Sequence, residues 1–273
     1  MTKLSAIPRG RRLLFLGASG TGKTHLIGTL CELLPTIVVT SDKDTLETLA
    51  SMGLDPEVIL IENWYKIVEY ERAIVAAAST HRAIAIDDLG SIQGVALDKV
   101  LKMARLHEEK EARTRPKEFK EQVWKDILLG ERRLRYQSGD WPSLFTAVDT
   151  FISDILNMPF EVKLVTALEA IMSNPRDGED RIYPNLGGGI RTVTPAHFSL
   201  VGELFIATHD GSQHYCATCR SHPRIETKTR YGEGRTWVDP TMAKILAYIV
   251  GRGGEESTTE KGIGTGLPIL ETK

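Results

Sequence analysis

Short apolar runs alternate with longer stretches of helical spacing along the first ninety residues. The apolar runs predict strands at Leu13–Leu16, Thr36–Thr40, Val58–Ile61 and Ala83–Ile86, and the intervening stretches predict helices at Lys23–Leu33, Asp44–Met52 and Trp64–Ala78. Uninterrupted apolar strands between helices are typical of a parallel sheet covered on both faces. The pattern therefore predicts the α/β fold class, with a mainly parallel sheet and helices on both sides.

The second half of the chain has a more mixed pattern. It predicts a helix at Phe145–Leu156, a strand at Val162–Ala167, a polar glycine-rich loop over 173–189, a hairpin of Leu200–Thr208 and Gln213–Arg220, a further strand over Ile225–Arg230 and a closing helix at Pro240–Val250. We expect one domain over residues 1–250, with a helical insertion at 92–137 and a β-hairpin region near its end. Residues 251–273, rich in Gly, Glu and Thr, are expected to form a flexible tail.

Composition narrows the class of protein. The 273 residues are 41% hydrophobic and 26% charged, which is typical of a globular protein. Three cysteines are too few for a disulfide scaffold, so we expect a cytoplasmic protein, and no apolar run reaches the length of a membrane helix.

Charge is balanced overall but not locally. The net charge of −2 gives no global attraction to nucleic acid, whereas residues 99–135 carry 12 basic and 7 acidic side chains. That segment is either a solvated helical insertion or a surface for nucleic acid or a partner protein.

The strongest motif lies between the first predicted strand and helix. Residues 17–24, GASGTGKT, match the phosphate-loop pattern G-x-x-x-x-G-K-[ST] in the required strand–loop–helix context. Glycines let successive backbone N–H groups turn towards phosphate oxygens, and the helix N-terminus adds partial positive charge. Lys23 is expected to reach the β- and γ-phosphates, and the Thr24 hydroxyl to bind Mg²⁺. The predicted nucleotide-binding residues are Gly17, Ser19, Gly20, Thr21, Gly22, Lys23, Thr24 and His25.

A magnesium–phosphate site also needs a carboxylate. Asp87 ends the apolar run AIAID, which places it at the carboxyl edge of the sheet beside the phosphate loop, where we expect it to contact Mg²⁺ through water. Hydrolysis needs a group that orients or deprotonates water. Asp42, which follows the second strand, and Asp88 are the main candidates, with Asp44 and Glu62 as competitors. Helix capping is the alternative role for these aspartates.

The number of residues between Lys23 and Asp87 indicates which class of phosphate-loop protein this is. Two strand–helix units, over 36–52 and 58–78, separate Lys23 from Asp87, and this leaves room for a strand inserted between the phosphate-loop strand and the Asp87 strand. Such a strand is typical of hydrolysing motor and recombinase ATPases. The guanine-reading motif N-K-x-D is absent from the sequence.

Taken in order, these motifs resemble a known family. The layout over residues 10–235 resembles the RecA-like core ATPases encoded by bacteriophages, including single-strand annealing and recombination ATPases. The resemblance is carried by GASGTGKT, VVTSD, AIAIDD, the Trp141 helix leading into VKLVTA, the loop ending in YPNLG, and Lys228-Thr229-Arg230.

The resemblance implies roles for particular residues. Asp42 falls at the position of a catalytic glutamate, and Thr166 at that of a polar sensor of the γ-phosphate. Lys228 and Arg230 correspond to a pair that enters the ATP site of the neighbouring subunit in related hexamers. The alternative is that both are solvated residues on one strand face. The loop over 173–189 corresponds to a DNA-binding loop, where Arg176, Arg181 and Tyr183 are the candidate contacts.

His214, Cys216, Cys219 and His222 are residue types that bind zinc. Zinc is possible but not favoured, because Cys216 and Cys219 would point to opposite faces of the predicted hairpin strand. Ordinary strand residues are the preferred interpretation.

Three functions remain open from the sequence. The first is a Mg²⁺-dependent ATPase that forms rings or filaments and acts on single-stranded DNA in phage recombination or replication, with a phage or host protein of those processes as a further partner. The second is a helicase loader or packaging ATPase that acts on a protein. The third is a nucleotide-gated assembly module without useful hydrolysis. ATP is preferred over GTP on the resemblance alone.

Overall fold

The computed structural model describes residues 10–99, 140–173, 179–187, 189–209, 211–220 and 227–251. Its first half contains β1 (Arg11–Gly17), α1 (Lys23–Leu33), β2 (Thr36–Thr40), α2 (Lys43–Ser51), β3 (Glu57–Leu60), a 3₁₀ turn (Trp64–Lys66), α3 (Ile67–Ala77), β4 (Ala83–Asp87) and α4, described over 89–99. The predicted alternation of strands and helices is confirmed. The predicted helix at Trp64–Ala78 is divided, because its first turn is 3₁₀.

The second half contains α5 (Asp140–Asn157), β5 (Val162–Ser173), β6 (Asp180–Pro184), the short α6 (Ile190–Val193), a 3₁₀ turn (Thr194–His197), β7 (Leu200–His209), β8 (Ser212–Thr218), β9 (Lys228–Thr229), β10 (Thr236–Val238) and α7 (Met242–Ile249). The predicted hairpin is confirmed as β7 and β8. No helix in these described ranges is long and apolar enough to cross a membrane.

One mixed sheet organises the molecule. Its order is β10-β8-β7-β1-β5-β4-β2-β3, and the six strands from β7 to β3 run parallel. The antiparallel pairs lie at its margins, with β8 against β7, β10 against β8, β9 against β7, and β6 against the end of β5. The predicted α/β, mainly parallel, phosphate-loop fold is therefore confirmed.

The inserted strand is present, but it comes from a different part of the chain. The strand between β1 and β4 is β5, which follows α5. The two units between Lys23 and Asp87 supply β2 and β3, which lie on the far side of β4. An inserted strand was therefore predicted correctly, but the spacing between Lys23 and Asp87 is not its cause, because β5 comes after Asp87 in the sequence.

Both faces of the sheet are covered by apolar side chains, as the uninterrupted strands predict. Leu13 and Phe15 point to the face that packs on α1 and α7, whereas Leu14 and Leu16 point to the face covered by α3, α4 and α5. All four side chains are buried. This two-sided core fixes β1, and therefore the loop that follows it.

Several predicted elements differ from the structure. The loop predicted over 173–189 contains β6, because β5 continues to Ser173 and pairs with β6 as a two-stranded ribbon. The strand predicted over Ile225–Arg230 is reduced to Lys228–Thr229 in the described residues. Helix α5 begins at Asp140, five residues before the predicted start at Phe145. Most of the predicted insertion over 92–137, and the tail beyond residue 251, lie outside the described residues.

Candidate nucleotide-binding site

The loop between β1 and α1 has the backbone that a phosphate cradle needs. Gly20 and Gly22 have φ values of 80° and 89°, in the left-handed region that favours glycine. Gly22 precedes α1 and supplies no side-chain cap, so the first N–H groups of the helix have no side-chain acceptor from their cap residue. A Cβ atom on Gly17 would lie 2.7 Å from the carbonyl oxygen of Leu204, which leaves no room for a larger residue.

The Lys23 side chain is hydrogen-bonded to the backbone of this loop. Its Nζ donates to the carbonyl oxygens of Gly17, at 2.9 Å, and Ala18, at 2.7 Å. Burial lowers the pKa of Lys23, while nearby carboxylates, Asp88 foremost, act in the opposite direction. The side chain is therefore held against the loop whose ligand it is expected to bind.

Asp87 is the polar centre of the site. It is only 4% exposed, and its Oδ2 accepts hydrogen bonds from the hydroxyls of Thr24, at 2.6 Å, and Thr45, at 3.0 Å. Its Oδ1 accepts from the Thr166 hydroxyl at 2.6 Å. Side chains from α1, α2 and β5 thus meet on the carboxylate at the end of β4.

These oxygen atoms fit a magnesium ion. Mg²⁺ prefers hard oxygen ligands, and a threonine hydroxyl beside a carboxylate is such a set. The contact between Thr24 and Asp87 brings together the two side chains that the sequence predicted for the metal. The described residues contain no group of three or more His, Cys, Asp or Glu that could hold a metal ion, so a magnesium ion here would also depend on phosphate and water oxygens.

A cavity of about 380 Å³ opens over these residues. Its walls come from the phosphate loop, the first turns of α1 and α2, and the end of β4. Among the predicted site residues, the cavity is lined by Ser19, Gly20, Gly22, Lys23, Thr24, His25, Asp42, Asp87 and Asp88. The Thr21 hydroxyl instead donates to the Ala18 carbonyl oxygen at 2.9 Å, within the loop.

The two aspartates considered for catalysis both cap helices. Oδ1 of Asp42 accepts from the N–H of Asp44 at 3.0 Å at the start of α2. Oδ1 of Asp88 accepts from the N–H of Ser91 at 2.8 Å at the start of α4. Burial raises the pKa of Asp88, and the Asp87 charge adds to this increase. Each aspartate therefore caps a helix and also lines the cavity.

Sequence reasoning missed two buried polar residues near this site. Thr45 is 4% exposed and contacts Asp87; its position four residues before the apolar Leu49, on the same helix face, was the available sequence signal. Glu203, on β7 beside β1, is 5% exposed, and its Oε2 has no hydrogen-bond partner among the described residues. Burial raises the pKa of Glu203 to about 7, and Glu169 contributes to the increase.

An exposed aromatic ring lies beside the loop. Tyr215, on β8, is 50% exposed, and a Cβ atom built on Gly22 would lie 3.4 Å from its ring. The ring is therefore a flat apolar surface next to the start of α1.

The predicted trans-acting pair lies away from this edge of the sheet. Lys228 pairs with Val201 on β7, whereas Gly17 of the phosphate loop pairs with Leu204, three residues further along β7. Lys228 is therefore displaced from Gly17 by about 10 Å along the strand direction. Its Nζ donates to the Ala196 carbonyl oxygen at 3.2 Å. The exposed Arg230 lies just beyond the two-residue β9, so the two residues do not share a strand face as the sequence suggested.

The remaining candidate residues lie in two other places. Arg181 and Tyr183 are on β6, two residues apart on one face of the ribbon, while Arg176 lies outside the described residues. Cys216 is buried in β8, and Cys219 follows that strand and accepts a hydrogen bond from the Arg235 N–H at 3.4 Å. His222, the last residue of the zinc pattern, is also outside the described part of the chain.

Among comparisons with known proteins, the family comparison agrees with this class of site. Residues 9–231 match the family described as AAA domain (AAA_24), and the chain belongs to that family. No curated protein sequence matches the chain. Among solved structures, the chain is similar to the KaiC-like protein of the hyperthermophilic archaeon Pyrococcus horikoshii OT3, at 14% identity and a TM-score of 0.43, over 86% of this chain and 92% of that one. The family match therefore places the protein in an AAA-type phosphate-loop ATPase family.

Proposed function

We propose that the protein binds Mg²⁺ and ATP at this site and hydrolyses the nucleotide. The observation that carries the proposal is the 2.6 Å contact between the Thr24 hydroxyl of the phosphate loop and the Asp87 carboxylate at the end of β4. A phosphate loop supports nucleotide binding, and a carboxylate beside its threonine supports a metal-dependent reaction. The family membership supports the same activity.

Each side chain has a defined task in this proposal. Lys23 leaves its carbonyl acceptors and binds the β- and γ-phosphates, and Thr24 and Asp87 hold the metal. Bound Mg²⁺ would neutralise phosphate charge. Asp42 or Asp88 orients the attacking water from the cavity wall. Tyr215 offers its exposed ring as a stacking surface for the nucleobase.

Removing the lysine charge tests the nucleotide site. We expect Lys23→Ala to abolish ATP turnover, because the variant loses the cation that binds the phosphates. Phosphate release is measured on purified protein, and Lys66→Ala, an exposed lysine on the 3₁₀ turn, is the control. Turnover in Lys23→Ala equal to that of Lys66→Ala would contradict the proposal.

We further propose that the protein acts on single-stranded DNA, as part of phage recombination or replication. The ribbon of β5 and β6 supports this, because Arg181 and Tyr183 share one of its faces and combine a cation with an aromatic ring. Self-association into rings or filaments, and contact with a phage or host replication or recombination protein, belong to the same proposal. A cytoplasmic location also remains a prediction.

The DNA proposal is tested by stimulation of turnover. We expect single-stranded DNA to increase ATP turnover, and Tyr183→Ala to lose most of that increase while basal turnover persists. Tyr65→Ala, an exposed tyrosine on the 3₁₀ turn, is the matched control. ATP turnover that is the same with and without DNA would contradict the DNA proposal. It would favour a protein partner, as in a helicase loader or packaging ATPase. Tight ATP binding without turnover favours the non-hydrolysing assembly module.

A further inference from the structure

A chain of hydrogen bonds through two buried hydroxyl groups joins the metal-site carboxylate, Asp87, to Asp42, one of the two residues proposed to orient water. Thr45 donates to Oδ2 of Asp87 at 3.0 Å, and the Thr40 hydroxyl lies 3.4 Å from the Thr45 hydroxyl. The N–H of Asp42 in turn donates to the Thr40 hydroxyl at 3.0 Å. The chain therefore runs from β4 through α2 to the end of β2.

The two threonines in this series of hydrogen bonds are buried. Thr40 is 0% exposed and Thr45 is 4% exposed, so water does not compete for these hydrogen bonds. Each hydroxyl has one proton: Thr45 gives its proton to the carboxylate, while Thr40 can give its proton to the Thr45 oxygen or, at 3.3 Å, to the Asp42 carbonyl oxygen. Buried networks of this kind hold their members in one arrangement.

The same carboxylate oxygen serves two donors. Oδ2 of Asp87 accepts from both Thr24 and Thr45. In the proposed function the Thr24 oxygen would bind the metal through a lone pair while its proton still points to that carboxylate oxygen. Thr45 and Thr166 are the two hydroxyl donors to Asp87 that lie outside the phosphate loop.

We propose that Thr45 is a positioning residue for the metal site: it holds the Asp87 carboxylate beside Thr24, and it sets the position of Asp42 through Thr40. The inference rests on the proposed nucleotide site and deepens it. It adds a residue of α2 to a site that the sequence placed on the phosphate loop and β4.

The experiment measures Mg²⁺ dependence rather than turnover alone. A fluorescent ATP analogue is titrated at fixed concentration against Mg²⁺, with wild-type protein, Thr45→Val and Thr45→Ser. Thr45→Val should raise the Mg²⁺ concentration for half-maximal binding about 10- to 100-fold, the range typical when a hydrogen-bond partner of a metal-site carboxylate is removed. Thr45→Ser, which keeps the hydroxyl, should restore the wild-type value. Nucleotide binding without Mg²⁺ should be equal in all three.

Controls separate a structural defect from the proposed role. Thr146→Val, on the exposed side of α5 with its hydroxyl bonded to the Pro142 carbonyl oxygen, should leave the Mg²⁺ titration unchanged. If Thr45→Val does not fold, Thr45→Ala replaces it. Equal Mg²⁺ curves for the Ser and Ala variants would then overturn the inference.

The failure of this inference differs from failure of the proposed function. If wild-type protein and Lys23→Ala bind the analogue equally, the nucleotide site itself is wrong. If they differ while Thr45→Val follows the wild-type Mg²⁺ curve, only the role of Thr45 is wrong.

Discussion

At the residue scale, two buried carboxyl groups near the phosphate loop differ in whether hydrogen bonds satisfy them. Asp87 satisfies its two oxygens with three hydroxyls, whereas Glu203 leaves one oxygen without a partner among the described residues. A buried carboxyl group in this situation favours its neutral form. The effect of the Glu203 carboxyl group on the free energy of unfolding can therefore be measured separately from any activity.

Glu203 should make stability depend on pH. Burial raises its pKa from 4.5 to about 7 in the folded protein, so between these pH values the folded chain keeps a proton that the unfolded chain releases. The free energy of unfolding should thus decrease as pH rises through this interval, by roughly 3 kcal/mol. Above about pH 7 both states are ionised, and this contribution becomes constant.

The measurement is urea denaturation at several pH values between about 5 and 8. Glu203→Gln removes the titrating group, so its stability relative to wild type should increase over that range. Glu32→Gln, an exposed glutamate at the end of α1, is the control. A stability difference for Glu203→Gln that stays constant with pH would refute this account.

At the element scale, helix starts and catalytic candidates coincide. Asp42 and Asp88 were predicted either as water-orienting groups or as caps, and the structure shows both as caps that also line the cavity. The sequence therefore could not choose between the two roles, because one position satisfies both. A substitution that keeps the cap but removes the charge separates them.

Asparagine is that substitution, because it caps helices as well as aspartate does. We expect Asp42→Asn to retain the stability of the wild-type protein and to lose ATP turnover by about 100-fold. Asp42→Ala should lose turnover equally and also cost about 1 kcal/mol of stability through loss of the cap. Thermal unfolding and phosphate release measure the two effects. Normal turnover in Asp42→Asn would leave Asp88 as the candidate, and Asp88→Asn is measured alongside.

The sequence predicted some elements better than others, for physical reasons. Strands β1, β2 and β4 have continuous apolar runs, and the phosphate loop has a motif tied to one backbone shape, so these were predicted correctly. The ribbon of β5 and β6 was missed because it leaves the core: Ile171 and Met172 are apolar but exposed, and β6 (Asp180–Pro184) has no apolar run. Thr45 was missed because its importance depends on a contact with Asp87, 42 residues away in sequence.

At the scale of the whole molecule, the position of Lys228 and Arg230 bears on assembly. Both lie towards the amino ends of the parallel strands, whereas the phosphate loop is at their carboxyl ends. If these cations act on a nucleotide, they act on one bound to a neighbouring subunit.

Mixing two inactive variants tests this arrangement. We expect Lys23→Ala and Arg230→Ala to be inactive separately, and their mixture to recover part of the wild-type turnover. In a mixed assembly, an intact Lys23 from one subunit can meet an intact Arg230 from its neighbour. A mixture as inactive as its components, although particle mass shows co-assembly, would exclude a trans role for Arg230.

Strand β5 connects the buried region around Asp87 to the ribbon that it forms with β6. Thr166 lies in the core beside Asp87, and Ser173 is the last residue of the same strand, roughly 23 Å further on. Because side chains alternate along a strand, adding one residue between them would turn over every ribbon side chain beyond that point, whereas adding two would preserve the faces and lengthen the ribbon by about 7 Å. An insertion in β5 that lengthens the ribbon and leaves each side chain on its present face must therefore contain an even number of residues.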